Sequence, residues 1–173
     1  MKKILMFSLI LTTLFTSLKS FAQDDKSKRP SPPAKVSETT SGGNTVTIDY
    51  SQPSVKGRTI GKEIAPYGKV WRTGANEATV FEISKDAKIN GKYPLPAGKY
   101  SLHSIPGEKN WTIIFNKKWE KSGLDYNEGD DALRVVTEAD KAPAATEKMT
   151  FNVSKDGKVT LLWGDKSVSF TVS

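Results

Sequence analysis

Residues 36–173 predict an all-β fold: a single antiparallel β-sandwich of jelly-roll type that ends in a C-terminal β-meander. Three observations predict it. Apolar and polar side chains alternate at period two along most of this stretch, the spacing of half-buried strands. Turn signals built from Asn, Asp, Gly and Pro recur between those runs. No segment carries a clear 3.6-residue apolar stripe, so helices have little to build on.

The strands follow in order. In "NTVTIDYS", Val46, Ile48 and Tyr50 alternate with Thr45, Thr47 and Asp49. "ATVFEIS" sets Thr79, Phe81 and Ile83 on one face. "DAKINGKYPLPAGKYSLHSIPG" is punctuated at Asn90-Gly91, Pro96-Ala97-Gly98 and Pro106-Gly107, with strand-like runs between. "NWTIIFNK" aligns Trp111, Ile113 and Phe115. The last 25 residues read as three strands joined by "KDGK" and "GDKS". In them Met149, Phe151 and Val153 align, then Val159, Leu161 and Trp163, then Val168, Phe170 and Val172. Asp156-Gly157 is a dipeptide suited to a type I′ turn, which needs positive φ at both central positions. One apolar face per strand predicts a sheet that covers a core on one side. "PAATEKM" and "WEKSGLDYNEGDDAL" are the stretches that can hold a helical turn.

The N-terminus reads as a signal peptide over residues 1–22. "MKK" is a positive n-region, "ILMFSLILTTLFTSL" an apolar h-region, and Ser20 and Ala22 are small residues before an expected cut at Ala22–Gln23. The run is short of the ~20 apolar residues of a spanning helix. The mature chain is expected to be exported to the periplasm or outside the cell, soluble and not membrane-spanning. Residues 23–35, "QDDKSKRPSPPAK", hold three prolines and nothing apolar larger than alanine. They predict a flexible or extended arm ahead of a domain that starts near Val36.

Composition narrows the chemistry. With no cysteine there is no disulfide, thiolate metal site or acylated lipoprotein cysteine. Lys2, Lys3 and Lys19 account for three of the seven net positive charges. The remaining lysines are scattered, so no nucleic-acid patch is expected. His103 is the only histidine, which excludes an all-histidine metal site and an HExxH helix. "DYNEGDD" offers oxygen ligands without EF-hand spacing and reads as a solvated acidic loop. No metal and no cofactor are expected.

Candidate site residues concentrate in "KVWRTGANEATVFEIS". If Trp71 faces the core, Arg72 lies on the opposite face, placed to pair with Glu77 across the "TGAN" turn. Gly74 suits a positive φ, and Asn76 suits an Asx-turn. Arg58 in "KGRTIG" and His103 in "YSLHSIP" add polar groups from nearby turns and strands. Together these can hold a carboxylate, a phosphate or a sugar, with Arg as the planar fork. Trp71 or Tyr100 supplies an apolar wall. The competing reading is a polar corner that only joins two strands.

"GGNTVTIDYSQPSVKGRTIG", "PYGKVWRTGANEAT", "INGKYPLPAGKYSLHSIPGEKNWTIIFNK" and the terminal strands together resemble the bacterial domain-of-unknown-function family 2911. The resemblance spans nearly all of residues 31–173. It implies an exported, mostly β domain with no established activity, and it places Arg58, Trp71, Arg72, Gly74, Asn76, Glu77 and Thr79 in the family's signature. The expected function is binding of a glycan, a cell-envelope component or a partner protein. The alternatives are a hydrolase using Glu77 with His103 or an aspartate, and a purely structural corner.

Overall fold

The computed structural model describes residues 25–120 and 124–173. The segment read as a signal peptide, with its cut at Ala22–Gln23, lies outside them. Nine strands run through the described residues. They are β1 (Pro33–Thr39), β2 (Thr45–Ser51), β3 (Val80–Ile83), β4 (Ala87–Ile89), β5 (Tyr93–Leu95), β6 (Gly98–Ile105), β7 (Asn110–Asn116), β8 (Asp131–Val153) and β9 (Lys158–Thr171). Seven form one antiparallel sheet in the order β1-β2-β3-β6-β7-β8-β9, and β4-β5 is a separate hairpin. The all-β antiparallel class is what the period-two alternation predicts.

The layers of this sandwich come from one sheet curling on itself. β8 is long, and its register shifts twice, between Lys141 and Thr146 and between Thr146 and Thr150. Such irregularities bend a strand and increase its twist. Its first half pairs with β7, as in Ile114↔Arg134. Its second half reaches the strip after β2, where Val55 N–H donates to Glu147 O and Met149 N–H to Pro53 O, both at 2.9 Å.

Several local expectations change. "PAATEKM" continues as strand rather than making a helical turn. "GDKS" is no reversal, because β9 runs through it with Gly164 at φ 56°. The partner strand β8 goes on pairing beyond it, Asp140 with Ser167, so the meander has two long strands where three were expected. The primed turn sits at Asn90-Gly91, with φ 51° and 65° and Lys92 N–H donating to Ile89 O. At Asp156-Gly157 only the glycine has positive φ.

The core is the inner face of the curl. Val46 and Ile48, Phe81 and Ile83, and Trp111, Ile113 and Phe115 are all buried, as the alternation predicts. Phe115 meets Phe81 and Phe170 edge-on, with centroids 5.1 and 5.5 Å apart. Each such side chain contributes about 1.5–3 kcal/mol on full burial. Trp111 and Trp163 are also buried, and their indole N–H groups find no acceptor among the described residues. Trp71 stacks on Trp163 at 4.9 Å and meets Trp111 edge-on at 6.1 Å.

Candidate functional site

The site is built on β6 and the segment that runs beside its end. Trp71 pairs with Ser104, exchanging backbone hydrogen bonds of 2.7 and 2.9 Å. That pairing directs the Trp71 ring inward onto Trp163. By the alternation of a strand, Val70 and Arg72 then face outward. His103 lies on the same outer face of β6, flanked along the strand by Leu102 and Ser104 on the core side.

The string "RTGANEAT" makes a corner whose polar groups largely satisfy one another. Thr73 Oγ1 lies 2.9 Å from Ser104 Oγ, and Thr79 Oγ1 donates to Thr73 O at 2.8 Å. Thr73 and Thr79 are fully buried. The positive φ values fall on Thr73 (50°) and Asn76 (57°), not on Gly74. Gly74 is needed for space instead: a Cβ there would sit 2.6 Å from Thr79 Oγ1. Arg72 does not pair with Glu77. Its Nη1 donates to Asn76 O at 3.2 Å, while its Nε and Nη2 make no hydrogen bond among the described residues.

Glu77 and Asn76 turn to the N-terminal segment. Lys26 Nζ and Arg29 Nη1 each lie 2.9 Å from Glu77 Oε1, and Asn76 Nδ2 donates to Ser31 O at 2.8 Å. Residues 33–39 go on to pair with β2 from Pro33↔Ser51 onward. Pairing thus begins three residues before Val36, because proline at the start of an edge strand costs no ladder bond.

The hydrogen bond from Lys26, followed by Glu77's own backbone and Arg29, holds the Glu77 carboxyl down at about 2. A depressed carboxyl contributes stability that is present above its unfolded value near 4.3 and lost as pH falls through 2. The pair is half-exposed, so its worth is at most ~1 kcal/mol. Carboxyl NMR should show Glu77 titrating near pH 2, and Lys26→Ala with Arg29→Ala should move it back toward 4. A titration near 4 in the unaltered protein would mean that this segment is not held on Glu77.

The sequence candidates separate in space. Arg72, His103 and Trp71 line one cleft of about 290 Å³, together with Val70, Leu124 and Tyr126. Arg58 lines another, donating from Nε to Val55 O (3.1 Å) and from Nη2 to Ser54 O (2.7 Å). Tyr100 is a core residue whose hydroxyl donates to Pro96 O at 2.8 Å. Asn76 and Glu77 hold the N-terminal segment, and Thr79 locks the corner.

Tyr126 and Leu124 have no counterpart among the sequence candidates. Tyr126 belongs to the "DYNEGDD" stretch read as a solvated acidic loop and Leu124 directly precedes that stretch, yet Tyr126 lies over the outer face of the sheet. Tyr126 lies 5.0 Å from the His103 ring. Its hydroxyl donates to Asp131 Oδ2 at 2.7 Å, and Arg134 Nε donates to the same oxygen at 2.7 Å. Burial first, then the Asp131 hydrogen bond, pushes the Tyr126 phenol up to about 12. It therefore stays a protonated donor near neutral pH. Asn116 Nδ2 holds the other Asp131 oxygen at 2.8 Å. Asp131 is thus spent on Arg134, Tyr126 and Asn116, and Glu128 pairs with Arg134 at 3.1 Å. No group of three or more His, Asp or Glu able to hold a metal occurs among the described residues.

A family model described as a protein of unknown function (DUF2911) matches residues 31–172. The chain belongs to this family. The DUF2911 match covers both the corner and the cleft. No curated protein and no solved structure matches the chain. No helix among the described residues is long and apolar enough to cross a membrane.

Proposed function

We propose that this DUF2911 protein is an exported binding module for a glycan or cell-envelope component carrying an acidic group. The observation that supports it is the convergence of Arg72, His103, Trp71 and Tyr126 on one cleft. Arg72 keeps two nitrogens uncommitted and can take a carboxylate, in a charge-assisted bond of about 1.5–3 kcal/mol. Tyr126, fixed by its bond to Asp131, offers an aromatic wall on the outer face, and exposed Val70 and Leu124 form an apolar lip. An aromatic wall beside a cation suits a charged sugar ring.

Catalytic use of Glu77 finds less support. Glu77 does not line the cleft, and a carboxyl held at about 2 is a weak base and no proton donor near neutral pH. The corner around it serves the sheet and the N-terminal segment.

The test is a screen of acidic and neutral oligosaccharides and cell-wall fragments, read by melting temperature and tryptophan fluorescence. A ligand at a hundred times its Kd adds about 2.7 kcal/mol of stability. Fluorescence should respond because Trp71 borders the cleft beside Arg72. Arg72→Gln should weaken the hit at least about tenfold, equivalent to ~1.4 kcal/mol, while the free protein loses only the bond to Asn76 O, about 1 kcal/mol. Binding that ignores this substitution, or no binding by any acidic saccharide, would overturn the proposal.

A further inference from the structure

A second cleft of about 340 Å³, which shares no lining residue with the first, is lined in part by Arg58, Thr59, Tyr67, Gly164, Asp165 and Lys166. From its construction we infer that it binds a sugar ring carrying an oxyanion, and that it is a site separate from the Arg72 cleft.

The cations are held in place. Arg58 has two of its nitrogens anchored on the carbonyls of Val55 and Ser54, which aims the fork and leaves Nη1 for a ligand. No carboxylate lies within ion-pair distance of it among the described residues. Lys166 is the opposite case: its side chain is 22% exposed, yet its nearest carboxylate is Asp165 at 4.0 Å, the outer limit of an ion pair. Among the lining residues two positive charges stand against one exposed carboxylate, and the neighbouring Glu63 carboxylate is engaged by Thr59 N–H. That balance favours an anion.

The walls indicate a ring. The loop 59–67 is tied tightly, with Thr59 N–H donating to Glu63 Oε2 at 2.7 Å and Tyr67 N–H to Gly61 O at 3.0 Å. Gly61 exists to receive the Tyr67 ring, since a Cβ there would lie 2.2 Å from it. The half-buried Tyr67 is thus a fixed aromatic wall, of the kind that suits the apolar face of a sugar. Gly164 is also closed to a side chain, because a Cβ would meet Ile60 Cδ1 at 2.9 Å. Asp165 and Thr59 complete the reading. A bare anion is repelled by Asp165, whereas a hydroxyl-rich ring can donate to it. The shared chemistry is a carboxylate or a phosphate on a sugar.

The inference stands on its own residues, whatever binds at Arg72. The experiment is amide NMR of the labelled protein titrated with a galacturonate trimer, glucose 6-phosphate, a neutral galactose trimer and inorganic phosphate. The expected result is shifts at Arg58, Tyr67, Gly164 and Asp165 with an acidic sugar, and none with the neutral trimer. Whether the trimer or the sugar phosphate is tighter tells carboxylate from phosphate. Lys166→Gln, which removes no hydrogen bond of the fold, should raise Kd at least tenfold, and Asp165→Asn should weaken the sugar while tightening inorganic phosphate. Arg72→Gln should leave all of these amides unaffected. Equal responses to the neutral trimer, equal affinity for inorganic phosphate, or indifference to Lys166→Gln would each overturn the inference.

Discussion

Trp163→Ala is expected to lower the free energy of unfolding by about 3–5 kcal/mol, the range for removing a large buried aromatic side chain. Trp163 is 1% exposed and lies under Trp71 with the rings nearly parallel, 9° apart. Its loss opens a cavity that the curled sheet cannot close, because β8 and β9 are pinned by pairing on both halves. The cleft suffers as well, since Trp71 loses the ring that fixes it. Trp163→Phe is the informative companion. It keeps an aromatic ring at the site and removes an indole N–H that has no acceptor among the described residues, so it should cost far less than the alanine. Urea unfolding of the three proteins gives the comparison, with unchanged slopes confirming that the native state is intact. A loss below about 2 kcal/mol for the alanine would show that the tryptophan cluster is not what supports the cleft.

Gly157→Ala should be the most damaging of the turn substitutions. Gly157 has φ 84°, and a Cβ there would lie 2.1 Å from Val172 O. The same Val172 donates its N–H to Gly157 O at 2.9 Å, so the two backbones cannot part without losing that bond. Alanine at positive φ costs more than the 0.4–1 kcal/mol that it gains at a compatible site. Overpacking adds about 1–3 kcal/mol. A total of at least ~2 kcal/mol is expected. Gly91→Ala serves as the control, because Gly91 also has positive φ (65°) but nothing within 4 Å of the added methyl. It should cost about 1 kcal/mol, the low end of the penalty for a Cβ in the left-handed region. Thermal unfolding of both variants separates backbone strain from collision. Equal losses would mean that the Gly157–Val172 contact is not tight.

Much of the fold was legible because alternation at period two is a local signal. Val46, Ile48, Phe81, Trp111 and Phe115 announce their burial through their immediate neighbours alone. The errors are also physical. "GDKS" looks like a turn, but Gly164 spends its positive φ on a bend inside β9, and only the pairing of Asp140 with Ser167 shows it. Asp156-Gly157 and Asn90-Gly91 present similar turn chemistry. Which of them takes the primed turn is decided by the strands around each.

The corner was harder to read. Trp71 inward and Arg72 outward follow from alternation, yet the partner of Glu77 does not. Arg72 is close to it in sequence, but Lys26 and Arg29 reach it from some fifty residues away. Tyr126 had no local signal at all, since only the fold carries it to His103.

The sequence by itself determined the class of this protein, its inward faces, its lack of thiol chemistry and its DUF2911 membership, because alternation and residue type are properties of neighbours. Only the tertiary structure decided that Arg58 and Arg72 belong to different clefts and that Glu77 anchors the N-terminal segment. The curl of one sheet sets those distances, and it depends on pairing between residues remote in the chain.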